Sequence, residues 1–445
     1  MKALNLHLLE QQDGFYRQGR VLKTSGLLII ATLPGATVGE LCLIQKRQAN
    51  TPAVKAEVIA IDHQNVKLMP FESLHGLRFG DKVEGTGKHA LVPGGTNMLG
   101  LVVDSFGREL RESQSMGSSS PLIEVAVDKV INPLSRKPIT ENLATGVRAI
   151  DTFCPFGKGQ RLGIMAGSGV GKSTLLSLIA SHLSRKNTAV VAVLVGERGR
   201  EVEEFVNHQL DSDTKSRTAV IVATAEEMPV TRVLALKYGI SLAESISQEG
   251  TDVLLLVDSM TRVAMAQREI GLSMGEPTSS KGYTPSVFSL LQQTVERCGH
   301  FEHRGAISGL FTILVDGGDL DDPVVDALRA SLDGHIVLDR NLAEKGHYPA
   351  INVLTSLSRL TSALFDDNQR TQLTRIKKTL SAYNEKKMMI DLSEAEGSLS
   401  SSLRQLSQAN HEINTWLAES DVSEIERGSS CGLEYLSNLC PGEFV

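Results

Sequence analysis

Residues 166–174 constrain the fold of this chain more than any other segment, and they read Ala-Gly-Ser-Gly-Val-Gly-Lys-Ser-Thr. They follow the apolar run Leu162–Met165 and precede an apolar pattern of helical spacing that begins at Leu175. A glycine-rich loop between a strand and a helix is the context of a phosphate-binding loop. Glycines let successive backbone N–H groups point at the phosphates, and the helix N-terminus adds partial positive charge. The alternative is a glycine-rich turn without a ligand.

The loop supplies most of the predicted ligands of a nucleoside triphosphate. Lys172 is expected to reach the β- and γ-phosphates, and the Ser173 hydroxyl is expected to bind Mg²⁺. Ala166 stands where the strict motif has glycine, but its methyl group is small. The predicted nucleotide-binding residues of the loop are Gly167, Ser168, Gly169, Val170, Gly171, Lys172, Ser173 and Thr174.

Apolar runs alternate with helical patterns from about residue 160 to residue 360. Unbroken runs of Val, Leu and Ile are typical of strands buried on both faces, so we predict a mostly parallel sheet covered by helices. The predicted strands are Leu162–Met165, Ala189–Val195, Thr218–Ala223, Val253–Val257, Leu310–Val315 and Ile336–Leu338.

Asp258 ends one of these strands, at the sheet edge where open α/β sheets bind ligands. Beside a phosphate-binding loop, such a carboxylate orients the Mg²⁺ shell; without one, it is an ordinary end of a strand. Glu197 is the first carboxylate after the strand Ala189–Val195, and we predict it to be the group that positions or activates the attacking water. Glu201 is expected to support the metal's water shell. The alternative for this pair is a solvated charged loop.

Two further residues have open interpretations. Arg359 follows the serine-rich segment Ile351–Ser358, which we predict to be a strand, and it is either an arginine that reaches the γ-phosphate or a surface arginine. Tyr348 is either a ring that stacks on adenine or a half-buried core residue.

Flanking segments indicate two smaller domains. Short β-forming runs broken by turns predict a small barrel, with strands at Leu27–Ala31, Glu40–Ile44, Val54–Ile61, Val66–Met69 and Ala90–Val92. Beyond Leu360, apolar residues such as Leu373, Ile376 and Leu380 recur at helical spacing. The predicted domains are residues 1–92 for an N-terminal segment and the barrel, 93–365 for the nucleotide-binding domain and 366–445 for a helical domain. Leucines at positions 4, 6, 8 and 9 predict either a docking helix or a segment that is frayed or packed on its own domain.

Composition excludes several classes of protein. A net charge of -7 argues against a protein that mainly binds nucleic acid, and we expect no nucleic-acid partner. The 5 cysteines have no CxxC spacing, which predicts reduced thiols in the cytoplasm. The sequence contains neither a signal peptide nor an apolar stretch long enough to span a bilayer, so membrane association is expected only through partners.

Several motifs resemble the α and β subunits of rotary ATP synthases and their relatives. They are Thr145–Asp151 (TGVRAID), Gly196–Glu201 (GERGRE) and Pro349–Ser358 (PAINVLTSLS). Four others resemble type III protein-export ATPases, and residues 253–360 taken as a whole resemble the flagellar type. The four motifs are Ala166–Thr174, Asp258–Pro277, Lys281–Phe288 (KGYTPSVF) and Leu332–Leu338 (LDGHIVL). This resemblance covers about residues 20–365.

The resemblance implies a multidomain α/β fold: an N-terminal β-barrel, a central RecA-like P-loop domain with a parallel sheet, and a C-terminal helical domain. It implies Mg²⁺-dependent ATP hydrolysis with Glu197 as the catalytic carboxylate and Arg262 near the γ-phosphate. Tyr348 matches the aromatic residue that stacks on adenine. Arg359 matches an arginine finger that the neighbouring subunit of a homohexamer receives.

The same resemblance implies the cellular setting. The expected partners are a stator-like regulator, a coiled-coil stalk protein, chaperone–substrate complexes and a membrane export gate. The expected location is the cytoplasm, at the inner face of the cytoplasmic membrane.

Four other functions remain possible from the sequence. A virulence-type (injectisome) secretion ATPase shares every motif. The catalytic subunit of a rotary ATP synthase usually carries Thr after the loop lysine, where this chain has Ser173, and a non-catalytic subunit typically has Gln at the position of Glu197. An RNA translocase would need more aromatic residues in the barrel.

Overall fold

The computed structural model describes residues 17–47, 52–63, 65–111, 120–125, 130–315, 319, 321–418 and 429–442. The N-terminal leucines discussed above lie outside these residues. Within them, no helix has the length and apolar composition needed to cross a membrane.

The N-terminal barrel is closed, with the strand order β1-β2-β5-β4-β3-β6. Its strands are β1 (Arg17–Ser25), β2 (Leu28–Thr32), β3 (Leu41–Gln45), β4 (Val54–Asp62), β5 (Asn65–Pro70) and β6 (Lys82–Gly85). Side chains alternate between the barrel core and the outside, as in β3, where Cys42 and Ile44 are buried. Strand β6 was not predicted because only Val83 contributes an apolar side chain to the core; its backbone pairs with both β1 and β3 and closes the barrel.

The predicted barrel strand Ala90–Val92 was assigned to the wrong sheet. The chain there forms β7 (Leu91–Pro93), and β7 pairs antiparallel with β9 (Leu122–Glu124) outside the barrel. Between these two strands in the sequence comes β8 (Val102–Val103), which pairs with β12 (Thr218–Ala223) in the central sheet. An apolar run of this length indicates a strand but does not specify its partner.

The central sheet has eight strands in the order β16-β15-β10-β14-β13-β11-β12-β8. All pairs are parallel except β15 with β16. The remaining strands are β10 (Arg161–Ala166), β11 (Ala189–Val195), β12 (Thr218–Ala223), β13 (Val253–Asp258), β14 (Ile307–Leu314), β15 (Gly334–Val337) and β16 (Leu357–Ser358). Almost every residue of β11, β12 and β13 is buried, which confirms the predicted parallel sheet with helices on both faces.

Helices cover both faces of the sheet and form the C-terminal domain. They are α1 (Arg148–Phe153), α2 (Lys172–Arg185), α3 (Gly199–Glu204, continued by a π-helical turn at Phe205–Gln209), α4 (Ser212–Ser216), α5 (Pro229–Gln248), α6 (Met260–Met274), α7 (Pro285–Glu296), α8 (Pro323–Ser331), α9 (Arg340–Glu344), α10 (Thr361–Leu364), α11 (Asp367–Ala395), α12 (Ser401–Ala418) and α13 (Ser429–Leu439). A capping box at Asp366 and Gln369 starts α11.

The helical tail packs on the nucleotide-binding domain. Leu373, Ile376 and Leu380 are buried, as their spacing predicted. Arg148 lies over the Trp416 ring at 5.2 Å and donates to the Trp416 carbonyl at 3.1 Å. This contact joins the start of α1 to α12.

The predicted strand Ile351–Ser358 is wrong except for its last two residues, which form β16. The Asn352 side chain accepts hydrogen bonds from the backbone N–H groups of Leu354 and Thr355, both at 3.2 Å. The Ser356 hydroxyl donates to the Asn352 carbonyl at 2.6 Å. These local side-chain bonds turn the backbone and compete with a strand ladder.

Candidate nucleotide-binding site

The phosphate-binding loop joins β10 to α2 at the carboxyl end of the sheet. Gly169 and Gly171 have φ angles of 78° and 88°, which side chains with a Cβ rarely adopt. Val170, between them, is 2% exposed and anchors the loop in the core below the sheet edge. Gly171 is the residue before the first turn of α2, so the free N–H groups of that turn open onto the loop. The arrangement is a cradle for an anion.

Lys172 lies between two carboxylates. Its Nζ is 2.5 Å from Asp258 Oδ1 and 3.6 Å from Glu197 Oε1. Asp258 comes from the end of β13 and Glu197 follows the end of β11, the neighbouring strand. Because the carboxyl ends of parallel strands meet at one edge, three residues distant in sequence form one buried cluster.

Burial raises the pKa of Glu197 to about 7. A hydrogen bond with the Glu201 side chain and the negative charge of Asp258 contribute to this rise, while Lys172 and Arg262 oppose it. The same hydrogen bond lowers the pKa of Glu201. Glu197 Oε1 is buried and accepts no hydrogen bond, so it is available to a water molecule. A carboxylate with these properties can act as a base near neutral pH.

Arg262 completes the cluster from the first turn of α6. Its Nη2 lies 3.3 Å from Glu197 Oε2, and Nη1 donates to the Gly196 carbonyl. A Cβ on Gly196 would lie 2.8 Å from the Arg262 Cδ, so glycine lets the arginine cross the end of β11. Only the family resemblance had pointed to Arg262; its position four residues after Asp258, in the helix that follows the strand, is the one local signal.

Tyr348 lies beside the loop. A Cβ on Gly171 would be 3.3 Å from the Tyr348 Cε1, and the tyrosine is 48% exposed. A ring this exposed is not a core residue. A role in stacking on adenine stays a prediction.

Arg359 lies outside this cluster in its own chain. Its backbone N–H donates to the Asp333 carbonyl at 2.8 Å, and its Nη2 donates to the Arg329 carbonyl at 3.0 Å. The Asp333 side chain in turn accepts from the backbone N–H of Arg161, the first residue of β10. The phosphate-binding loop follows the last of the 6 residues of β10, whereas Arg359 lies near the first. The length of this strand therefore separates Arg359 from the loop by about 20 Å. Arg359 is exposed at the amino ends of the strands, opposite the carboxyl ends where the loop lies.

The oxygen ligands of the site suit magnesium. Among the described residues, no group of three or more His, Cys, Asp or Glu side chains could hold a metal by itself. Mg²⁺ at nucleotide sites needs only one or two protein oxygens, because phosphates and water supply the rest. Ser173 in the first turn of α2, Asp258 beside Lys172, and Glu201 hydrogen-bonded to Glu197 offer hydroxyl and carboxylate oxygens. Their metal role stays a prediction.

Comparison with known proteins identifies the family. The nucleotide-binding domain of the ATP synthase alpha/beta family matches residues 146–358, and the β-barrel domain of that family matches residues 21–87. The chain is 42% identical to the flagellum-specific ATP synthase of Bacillus subtilis, over 86% of each chain. It is 38% identical to the SPI-2 type 3 secretion system ATPase of Salmonella typhimurium, over 95% of this chain and 94% of that protein.

A solved structure matches the whole architecture. It is the assembled ATPase EscN from the type III secretion system of enteropathogenic E. coli, with a TM-score of 0.84 and 33% identity over 95% of this chain and 99% of EscN. The predicted three-part fold and family resemblance are therefore confirmed. The chain belongs to the ATP synthase alpha/beta family, and it is an ATP-hydrolysing enzyme of the group that contains the flagellum-specific ATP synthases and the type 3 secretion system ATPases.

Proposed function

We propose that this chain is the Mg²⁺-dependent ATPase of a flagellar type III protein-export apparatus, where ATP hydrolysis drives the release and export of protein substrates. The observation that carries the enzymatic part is the convergence of Lys172, Glu197, Asp258 and Arg262 at one edge of the sheet. The flagellum-specific relatives support the cellular part.

Binding of ATP begins at the loop. The backbone N–H groups of residues 167–174 would hold the phosphates, and Lys172 would exchange its contacts with Asp258 and Glu197 for the β- and γ-phosphates. Tyr348 would stack on adenine at the loop entrance. Ser173 and Asp258, with Glu201 through water, would hold a Mg²⁺ ion, which supplies positive charge to the phosphate oxygens.

Glu197 carries the proton-transfer step. Its Oε1, which accepts no hydrogen bond from the protein, would accept one from the attacking water once Lys172 has moved to the phosphates, and its raised pKa lets it take a proton near pH 7. Arg262 holds the other carboxylate oxygen, Oε2, and so fixes which oxygen faces the water. The guanidinium also brings positive charge toward the position of the γ-phosphate.

Arg359 would complete the site of a neighbouring subunit. It lies about 20 Å from the loop of its own chain, at the exposed opposite edge of the sheet. An arginine finger raises phosphoryl-transfer rates by about 10³–10⁵. In a homohexameric ring, Arg359 of one subunit would face the phosphate-binding loop of the next and so complete its site. The assembled EscN structure supports such an assembly.

Partners would place the ring at the cytoplasmic membrane. We propose a stator-like regulator, a coiled-coil stalk protein, chaperone–substrate complexes and the export gate as these partners, on the ground of the flagellum-specific relatives. The domains would be the barrel with its N-terminal segment (1–92), the ATPase domain (93–365) and the helical domain (366–445).

The alternative is an injectisome ATPase, since the SPI-2 relative matches over 95% of this chain. Replacement of the chromosomal gene by a Lys172→Ala allele in the source bacterium distinguishes the two. The flagellar proposal expects loss of filaments, with export substrates retained in the cell, while any injectisome secretion continues. Intact filaments with loss of secreted effectors would establish the alternative.

A further inference from the structure

Thr312 contacts Asp258 from the neighbouring strand. Its side chain is fully buried in β14, and its Oγ1 lies 2.6 Å from Asp258 Oδ1 and 3.3 Å from the Val257 carbonyl. A hydroxyl carries one proton, and the shorter contact to a charged acceptor is the stronger one. The Thr312 hydroxyl therefore donates to the carboxylate.

The position of this donor is rigid. Strand β14 lies between β10, which leads into the phosphate loop, and β13, which ends in Asp258, and it is paired with both. Two residues further along, the backbone N–H of Leu314 donates to the Thr261 hydroxyl at 2.9 Å, so the strand is also fixed to α6. The hydroxyl is thus held by the centre of the sheet and does not depend on a loop.

Asp258 Oδ1 receives two donors, Thr312 Oγ1 and Lys172 Nζ. In the function proposed above, Lys172 moves to the phosphates when ATP binds, and Thr312 then keeps its contact. A donor fixed on Oδ1 holds the plane of the carboxylate and leaves Oδ2 free for the water shell of a cation.

We propose that Thr312 is the positioning residue that orients Asp258 toward magnesium. This inference rests on the proposed Mg²⁺ role of Asp258. Hydrogen bonds to a charged group correspond to about a ten-fold to hundred-fold change in an equilibrium constant, so loss of the Thr312 hydroxyl should weaken the metal's contribution to nucleotide binding by that factor.

The test measures binding of a fluorescent ADP analogue to purified protein, once with excess Mg²⁺ and once with EDTA. The ratio of the two affinities is the Mg²⁺ contribution. Thr312→Val and Thr312→Ala remove the hydroxyl, and Thr312→Ser keeps it. Thr218→Val is the matched control, because Thr218 is a buried threonine of the same sheet whose hydroxyl donates to a helix carbonyl at 2.7 Å.

We expect Thr312→Val and Thr312→Ala to reduce the Mg²⁺ contribution about ten-fold or more, with affinity in EDTA within about two-fold of the wild type. Thr312→Ser and Thr218→Val should match the wild type. An unchanged Mg²⁺ contribution in Thr312→Ala, or an equal loss of affinity with and without Mg²⁺, would overturn the inference. A wild-type protein without any Mg²⁺ contribution would instead contradict the proposed function.

Discussion

The ammonium of Lys172 lies 2.5 Å from Asp258 Oδ1, although 86 residues separate the two in the chain. The ion pair is largely buried, and Glu197 contacts the same ammonium at 3.6 Å. Arg262 contacts Glu197 as well, so two cations balance the charges of the two carboxylates before phosphates bind. The nucleotide-free site is therefore already neutralised, and ATP binding is an exchange of partners for Lys172.

Substitution Lys172→Ala should abolish detectable nucleotide binding, because it removes the ammonium that reaches the β- and γ-phosphates. Titration with a fluorescent ATP analogue measures the effect. Lys186→Ala, at the exposed C-terminal end of the same helix, is the control and should bind normally. Wild-type affinity in a folded Lys172→Ala protein would show that the phosphates bind elsewhere.

Substitution Glu197→Gln should preserve nucleotide binding and lower kcat about 10²–10⁴-fold, because the amide keeps the shape of the side chain but cannot take a proton. Steady-state hydrolysis and analogue binding, measured on the same preparation, separate the two effects. Glu203→Gln changes an exposed glutamate of the following helix and should leave both unchanged. Near-normal turnover in Glu197→Gln would assign the base to another residue.

The pH dependence of activity should report the carboxyl of Glu197. Burial raises its pKa to about 7, and only the deprotonated form can act as a base. We therefore expect kcat/KM to rise about ten-fold per pH unit below this value and to level off above it, since kcat/KM reports groups of the free enzyme. The residual activity of Glu197→Gln should lack this rise; the same profile in both proteins would exclude Glu197 as its source.

The Tyr348 ring should contribute to affinity through its face rather than its hydroxyl. Loss of base stacking costs about 1–3 kcal/mol, so Tyr348→Ala should weaken ATP binding about five-fold to a hundred-fold, whereas Tyr348→Phe should bind like the wild type. Binding of inorganic triphosphate, which has no base, should be equal in all three proteins. Tyr435→Ala, at an exposed tyrosine of the tail, is the control. An equal loss for triphosphate would mean that the ring supports the loop.

Short sequence patterns were sufficient to predict the phosphate-binding loop and the two buried strands beside it. The glycine spacing around Lys172 and the apolar runs before Asp258 and Glu197 specify a loop and two buried strands without any knowledge of their neighbours. Their convergence could be predicted because parallel strands that end in polar residues place those residues at one edge.

Contacts that depend on strand order could not be predicted. Thr312 reaches Asp258 only because β14 lies between β10 and β13, and the sequence does not state that order. The strands β6, β8 and β16 have only two to four residues each, too few for a recognisable pattern, and tertiary pairing forms them. At Asn352, side-chain bonds to the backbone override the β-propensity of the neighbouring residues.

The place of Arg359 at the far edge of the sheet predicts that two chains must meet for full activity. Specific activity should rise with protein concentration, and mass measured in solution with a non-hydrolysable nucleotide should rise in parallel. Arg359→Ala should lower kcat about 10³-fold or more with nucleotide binding retained. Arg340→Ala, at an exposed arginine paired with Glu344, should have no such effect.

Mixed assemblies decide between an arginine that acts within its chain and one that acts between chains. Lys172→Ala subunits keep Arg359 but cannot hold ATP, while Arg359→Ala subunits hold ATP but offer no finger. When the two inactive proteins are mixed, an interface that pairs the intact loop of one with the intact Arg359 of the other should hydrolyse ATP. Activity of the mixture well above the sum of its components supports action between chains. A mixture that assembles but stays inactive would mean that Arg359 acts within its own subunit. That outcome would contradict the separation of roughly 20 Å between Arg359 and the phosphate-binding loop of its own chain.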